Sequence, residues 1–378
     1  MKITNVKTTI LFAPFPEAIA DAARTIGGRD VLLVDIETDE GITGTGISTG
    51  LGVASGSEIH IIDAIILQAL KPMLLGQDPL LIDHLWSLLY KGTLRFGRRG
   101  AAIRAISSVD IALWDLLGKK ACLPVYRLLG GNSRKVRVYA SGGFYHGDDD
   151  VEKLVAEMTG YVRDGFTAVK MKVGRDPIQD AARVRAVREA IGSDVALLLD
   201  ANEAWDAHTA LRFIDRVAPY DIYWLEEPVA PDDLDGYVKL SQRSPIPIAA
   251  GENEYTKYGF KELIARNAVS VVQPDVTRVG GITEWMKVAH LAEAFGMPCV
   301  THAVSEVHVS VVAAASNAPM MEYFTHAHYL QAFMTELFIA PAGIRRAEGG
   351  YVYASEAPGL GLELDPQLLA RYTVKVST

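Results

Sequence analysis

Two cysteines, Cys122 and Cys299, among 378 residues are too few for a disulfide framework, so packing rather than cross-linking must hold this chain together. Also missing is any apolar run long enough to span a bilayer, and the opening Met1-Lys2-Ile3-Thr4 has no apolar signal core. A membrane is therefore not an expected partner, and the cytoplasm is the expected location. Positive charge is scarce: 37 Lys and Arg stand against 46 Asp and Glu, a formal net charge of -9. Without a basic stripe there is no electrostatic footprint for nucleic acid. Low-complexity tracts, charge blocks and repeats are likewise lacking. An acidic chain can still bind an anion where a metal and local lysines reverse the sign inside a site, so net charge leaves the substrate open.

What is present is apolar material, 49% of the residues, in a chain longer than one core usually organises, which points to two domains sharing surface. In the first part, Lys2 to Ile10, Val31 to Thr38 and Gly44 to Thr49 read as strands, with a turn at Asp39-Glu40-Gly41. A helix from about Ala102 to Leu117 carries Ile106, Val109, Leu113, Leu116 and Leu117 on one stripe. Leu129-Gly130-Gly131-Asn132-Ser133 is a turn-rich break.

Beyond it a rhythm begins. Val136 to Ser141, Ala168 to Val173, Val195 to Asp200, Ile222 to Glu226, Ile246 to Glu252, Val269 to Asp275, Pro298 to His302 and Met320 to Tyr323 alternate with amphipathic helical stretches. Parallel βαβ units in that number, about eight, close into a barrel. After about Leu337 the rhythm stops, and the remainder is expected to return to the first domain. The division read from this pattern is 1–130, 131–337 and 338–378.

Barrel active sites form where the carboxyl ends of the strands converge. Here those ends carry Lys170 and Lys172, Asp200, Glu226, Glu252, Asp275, His302 and Glu322. Asp200, Glu226 and Glu252 recur every 26 residues on three consecutive strands. Three converging carboxylates repel unless a cation neutralises them, and an all-oxygen set suits Mg²⁺. Asn202 is placed to support that cluster or to cap a turn. Lys170 and Lys172 project to one face of their strand while Val169, Met171 and Val173 face the other. On an interior strand the lysines must enter the barrel mouth, where a partly desolvated lysine can serve as a base. Asp275 and His302, on adjacent strand ends, suit a dyad whose carboxylate fixes the imidazole tautomer. Glu322 interrupts an apolar eighth strand and could meet a substrate oxygen or pair with a lysine. His60, His84, His208, His290 and His308 read as structural.

At these positions the chain resembles the enolase superfamily, and within it the mandelate racemase subgroup. The likeness is carried by Asp110-Ile111-Ala112-Leu113-Trp114-Asp115, Lys170-Met171-Lys172, Asp200-Ala201-Asn202, Glu226-Glu227-Pro228, Gly251-Glu252, Gln273-Pro274-Asp275 and Thr301-His302, in that order across essentially the whole chain. The resemblance implies an α/β (β/α)7β barrel of the TIM type under an α+β capping domain. It also implies Mg²⁺ on Asp200, Glu226 and Glu252, with Lys172 and His302 on opposite sides of a substrate α-carbon. Asp275 would partner His302, Lys170 would lie near the substrate carboxylate, and Glu322 would hydrogen-bond the enediolate. A homo-oligomer is expected on the same ground.

The expected reaction removes the proton α to a carboxylate and then eliminates water, giving a 2-keto-3-deoxy sugar acid. Racemisation, epimerisation and cycloisomerisation use the same residues, so the substrate decides among them. A binding protein that kept the barrel without turnover would have lost some of this set. The stretch Ser141-Gly142-Gly143-Phe144-Tyr145-His146 and the later Glu306-Val307-His308 look similar to segments of galactarate and talarate dehydratases. Specificity is expected from two cap loops, Ala13 to Gly28 and Thr49 to Ser57, with Tyr145 and His146 at the first strand end. Arg24, Arg95, Arg98 and Arg99 are candidates for a distal carboxylate.

Overall fold

Alternating apolar residues on one strand sort themselves to two faces, and the second strand of this chain has both faces covered. The computed structural model describes residues 1–52, 57–145, 151–340, 344 and 346–378. Strands β1 (Ile3–Ala20), β2 (Thr25–Thr38) and β3 (Thr43–Gly52) form an antiparallel meander. On β2, Leu32, Val34 and Ile36 pack against the helices of the first domain, with Ile62, Leu85 and Ile106. Val31 and Leu33 point the other way and join the core of the barrel. The sheet is thus the middle layer between cap helices and barrel.

The segment Ala13 to Gly28, expected as a loop, is largely a continuation of this hairpin: Pro14 pairs with Gly28, Ile19 with Ile26 and Ala20 with Thr25. Its prolines and glycines read as breakers in the sequence. The ladder accommodates the prolines because the register shifts between Pro14 and Ile19, where β-pairing is interrupted.

The second part is a parallel sheet in the order β10-β4-β5-β6-β7-β8-β9, with β4 (Lys135–Ser141), β5 (Ala168–Lys172), β6 (Ala196–Asp200), β7 (Ile222–Glu226), β8 (Ile248–Ala250), β9 (Val271–Val272) and β10 (Met321–Tyr323). Pairing of β10 with β4 brings the last strand beside the first. Some strands are shorter than the sequence suggested, for local reasons. Strand β8 ends at Ala250, before Gly251, whose φ is +141°. Strand β9 stops before Pro274, which has no N–H for a ladder. At Pro298 to His302 a single parallel bridge, Val272 to Cys299, stands where a strand was expected.

Beyond Leu337 the chain divides its contacts. Strand β11 (Phe338–Ala340) pairs with β13 (Glu363–Leu364), and β12 (Tyr351–Tyr353) runs antiparallel to barrel strand β4. Among the described residues, the last strand, β14 (Thr373–Ser377), returns to the cap sheet alongside β1, and Gly359 and Leu360 bond to residues 115–125.

The long helix Ala101–Ala121 is the joint between cap and barrel. Asp110 accepts from the Thr283 amide at 3.0 Å and hydroxyl at 2.6 Å, and the Trp114 indole donates to the same hydroxyl at 2.9 Å. Asp115 accepts from the Thr45 and Leu360 amides, both at 2.8 Å. On the sheet side the backbone of β3 approaches so closely that a Cβ on Gly46 would lie 1.9 Å from the Ser108 carbonyl oxygen. Gly46→Ala is therefore expected to cost about 1–3 kcal/mol as overpacking against backbone, read as a lower Tm. Burial raises the Asp110 carboxyl from 3.8 to about 7, against the Thr283 hydrogen bonds. A raised folded-state value means stability that is complete below the unfolded value of 3.8 and lost as pH climbs through about 7. Denaturant midpoints should accordingly fall between pH 4 and 8, and Asp110→Asn should flatten that slope.

Candidate active site

Inside the barrel, one layer of side chains is apolar and the next toward the strand carboxyl ends is charged. Ala168, Leu198, Trp224, Val271, Val300 and Met320 pack together across the interior. Two residues on, by the strand period, come Lys170, Asp200, Glu226, Gln273, His302 and Glu322. Lys172, two further on its strand, and Glu252, just past β8, complete the set. The sequence therefore places an apolar floor beneath a ring of buried charge.

The carboxylate oxygens of Asp200, Glu226 and Glu252 converge to within 4.8 Å of one another. Around them, Lys172 Nζ is 2.5 Å from Asp200 Oδ2, and Lys170 Nζ is 2.7 Å from Glu226 Oε1 and 2.8 Å from Glu322 Oε1. Lys170 is 1% exposed. Its desolvation opposes the charge, but Glu226 and Glu322 outweigh it and hold the ammonium well above its ordinary range. Burial, with help from Asp200, Glu322 and Glu252, raises Glu226 to about 7 despite Lys170. That is the signature of acids crowded together with too little positive charge, and the all-oxygen donor set fits a hard divalent cation. Trp224 Nε1 at 3.2 Å and Gln273 Nε2 at 2.8 Å orient Glu226 from behind. A second trio, Glu203, Glu227 and Glu252, is equally close. There, however, the Asn253 amide nitrogen donates to both Glu203 and Glu227, and burial pushes the Glu227 carboxyl well up. Those two groups form a hydrogen-bonded pair rather than an anionic cage.

Asp275 and His302 meet as the sequence suggested, with Nδ1 2.8 Å from Oδ2. The other oxygen of Asp275 accepts from the Thr277 amide and hydroxyl, both at 2.7 Å, so the carboxylate is fixed. His302 Nε2 is left facing Glu252 Oε2 at 3.3 Å. Desolvation works against the imidazolium, yet Glu252 and Asp275 raise its pKa. His308 behaves differently: its Nε2 accepts from the Val276 amide at 2.8 Å and burial lowers its pKa, as suits a structural, neutral ring. Glu322 accepts from the Ala303 amide at 2.7 Å and is pulled down by Lys170, His302 and Lys172 in spite of burial. The backbone around these groups is strained, with φ of +47° at Ala303, +33° at the β-branched Val304 and +43° at Asn202.

Lys172, His302, Glu252, Glu322 and Asn202 line one narrow cavity of about 50 Å³ under the cap hairpin. Ligand clefts commonly measure about 300–1,000 Å³, so the cap stands close upon the charged floor. Arg24 reaches the cavity, paired with Asp21 at 3.3 Å. Arg95, Arg98 and Arg99 do not; all three are exposed, and Arg99 pairs with Asp232 and Glu254 at 3.5 and 3.6 Å. Tyr145 is also turned away: its hydroxyl donates to Asp180 at 2.7 Å, and Phe144 lines the cavity instead. His146 and residues 53–56 of the second cap loop lie outside the described residues.

Two charged lining residues were not anticipated. Arg278 sits 3.3 Å from Glu252 and 3.6 Å from Asp275, bridging the acid cluster to the dyad. Arg29 comes from the cap, and the alternation Arg29, Val31, Leu33 was the available signal.

Family models match both parts of the chain: the mandelate racemase/muconate lactonizing enzyme N-terminal domain over residues 5–130 and the enolase C-terminal domain-like model over 153–368. The arabinonate dehydratase of Saccharolobus solfataricus is 38% identical over 92% of this chain and 91% of its own. The D-galactarolactone cycloisomerase of Agrobacterium fabrum is 35% identical over 98% and 99%. Among solved structures, L-talarate dehydratase from Polaromonas sp. JS666, complexed with Mg and L-glucarate, superposes with a TM-score of 0.86 at 32% identity, covering 100% of this chain and 98% of that one.

A cation that relieves the repulsion among Asp200, Glu226 and Glu252 must also stabilise the fold. At a hundred times its Kd, Mg²⁺ should add about 2.7 kcal/mol, read by calorimetry with and without EDTA, and Glu226→Gln should remove most of that gain.

Proposed function

The chain belongs to the mandelate racemase/muconate lactonizing enzyme family of the enolase superfamily, and on that footing we propose that it is a Mg²⁺-dependent acid-sugar dehydratase. The observation that carries this reading is the meeting of Lys172 and the His302–Asp275 dyad in one cavity over three converging carboxylates. Their strands support opposed approaches: Lys172 ends β5 and His302 follows the Cys299 bridge to β9, at the far end of the sheet order.

A proton α to a carboxylate is very weakly acidic, so the charge that develops on its removal must be stabilised where it forms. Asp200, Glu226 and Glu252 would hold Mg²⁺, which supplies positive charge against the developing enediolate. Lys170, clasped between Glu226 and Glu322, meets the substrate carboxylate with a fixed ammonium group. Lys172, in its neutral amine form, takes the α-proton and becomes an ammonium beside Asp200. His302, whose Nδ1 is tied to Asp275, presents Nε2 to protonate the departing β-hydroxyl, and the enol then tautomerises to a 2-keto-3-deoxy acid. Substrate configuration decides which of the two groups faces the α-proton. Four side chains and the cation thus share one task, and the low exposure of the site keeps water from screening them.

Relatives named as dehydratases of arabinonate and of talarate and galactarate support the elimination. The cycloisomerase relative favours a second reading, lactone opening or cycloisomerisation on the same residues, in which no water leaves the substrate.

The test is incubation with Mg²⁺ and a panel of mono- and dicarboxylic sugar acids. Keto-acid formation is followed with a carbonyl reagent, and α-proton exchange in D₂O by NMR. Keto acid from some member of the panel is expected. Lys172→Ala and His302→Asn should each lower kcat by about 10²–10⁴-fold, with the Mg²⁺-dependent thermal gain retained. Exchange or inversion without keto acid would replace dehydration by an isomerase reaction on the same residues.

A further inference from the structure

Arg29 is a cation in the wrong place for a structural residue. It lies on β2 opposite Leu51 and Ala13, on the face that carries Val31 and Leu33 into the barrel core. It is 3% exposed and lines the active-site cavity. One of its terminal nitrogens donates to the Leu330 carbonyl. Its Nε is buried without a hydrogen-bond partner, and among the described residues no carboxylate lies within ion-pair distance.

Every other cation of the cavity has a carboxylate partner. Arg24 has Asp21 at 3.3 Å, Lys172 has Asp200 at 2.5 Å, Arg278 has Glu252 at 3.3 Å and His302 has Asp275 at 2.8 Å. The acids that act on Arg29 from further away are Glu306 and Asp275. Asp275 is taken by His302 and Thr277, while Glu306 Oε1 holds the Gln331 amide at 2.5 Å and its buried Oε2 has no hydrogen-bond partner. A buried guanidinium without an adjacent anion is unfavourable, and an anion arriving in the cavity relieves it.

Position says which anion. The acid cluster and Lys170 form the barrel floor, where the reacting carboxylate belongs, whereas Arg29 descends from the cap sheet that roofs the cavity. A chain anchored at the floor presents its other end to the roof. The planar guanidinium fork matches a carboxylate in a bidentate pair and matches a lone hydroxyl poorly. Resting on the sugar-acid reading above, we infer that Arg29 receives the distal carboxylate of the substrate, and that the enzyme's substrates are dicarboxylic sugar acids rather than monocarboxylic ones.

The experiment compares kcat/KM for dicarboxylic and monocarboxylic sugar acids of the same length and configuration. Wild type, Arg29→Met and Arg29→Lys are used, each as full-length protein saturated with Mg²⁺. Wild type should prefer the diacid, and Arg29→Met should reduce the diacid-to-monoacid ratio by about 100-fold, the scale of leaving a buried charge unpaired. Arg29→Lys should recover part of the ratio, since the charge returns without the fork. A wild type that uses monoacids as well as or better than diacids overturns the inference, and needs no variant. So does an Arg29→Met protein that loses both substrates equally with a lowered Tm, which would make Arg29 a counter-ion of Glu306. Absence of α-proton exchange with every acid in wild type would instead refute the underlying reading, and calorimetry of diacid binding to the Lys172→Ala protein separates that failure from this one.

Discussion

Charge buried without water must be balanced within a few ångströms, and that requirement governs the mouth of this barrel. Five acids and two lysines, with His302 beside them, sit where the strand ends meet. Each lysine is held by acids, and each acid leans on a lysine, an imidazole or an amide. The balance is uneven at one spot, the trio of Asp200, Glu226 and Glu252, where burial and mutual repulsion raise Glu226. Removing one partner leaves its neighbour buried and unmatched, so the cluster is interdependent. Strained backbone at Asn202, Ala303 and Val304 belongs to the same economy: these residues deliver side chains to the mouth at the expense of comfortable dihedrals.

The cap completes that environment. Its sheet has no solvated face in the middle, because β2 packs apolar residues against cap helices on one side and barrel on the other. The joint through Asp110, Trp114 and Thr283 fixes how the sheet lies over the barrel, and the narrowness of the cavity follows from it.

Most of the catalytic layer was legible in the sequence because a barrel strand writes it in a short code. An inward apolar residue is followed two positions later by an inward charge, as in Ala168 and Lys170, Leu198 and Asp200, or Trp224 and Glu226. Even spacing along the chain did the rest. The cap was harder to read. Pro14, Pro16, Gly27 and Gly28 look like loop, and only pairing across the hairpin makes them strand. Tyr145 belonged by position to the site, yet its hydroxyl finds Asp180, a partner 35 residues away that local pattern does not reveal. Arg278 acquires meaning only when cap and barrel are docked, and for Arg29 the alternation with Val31 and Leu33 gives its face but not what that face meets.

The pairing of β14 with β1 carries a consequence for biogenesis. Thr8 lies opposite Ser377, so the first sheet lacks its outer strand until almost the whole barrel has left the ribosome. The emerging amino-terminal segment exposes an open edge and a barrel-facing apolar side for as long as synthesis of the intervening residues lasts. The outer strand of the cap sheet is therefore made after barrel strands β4 to β10.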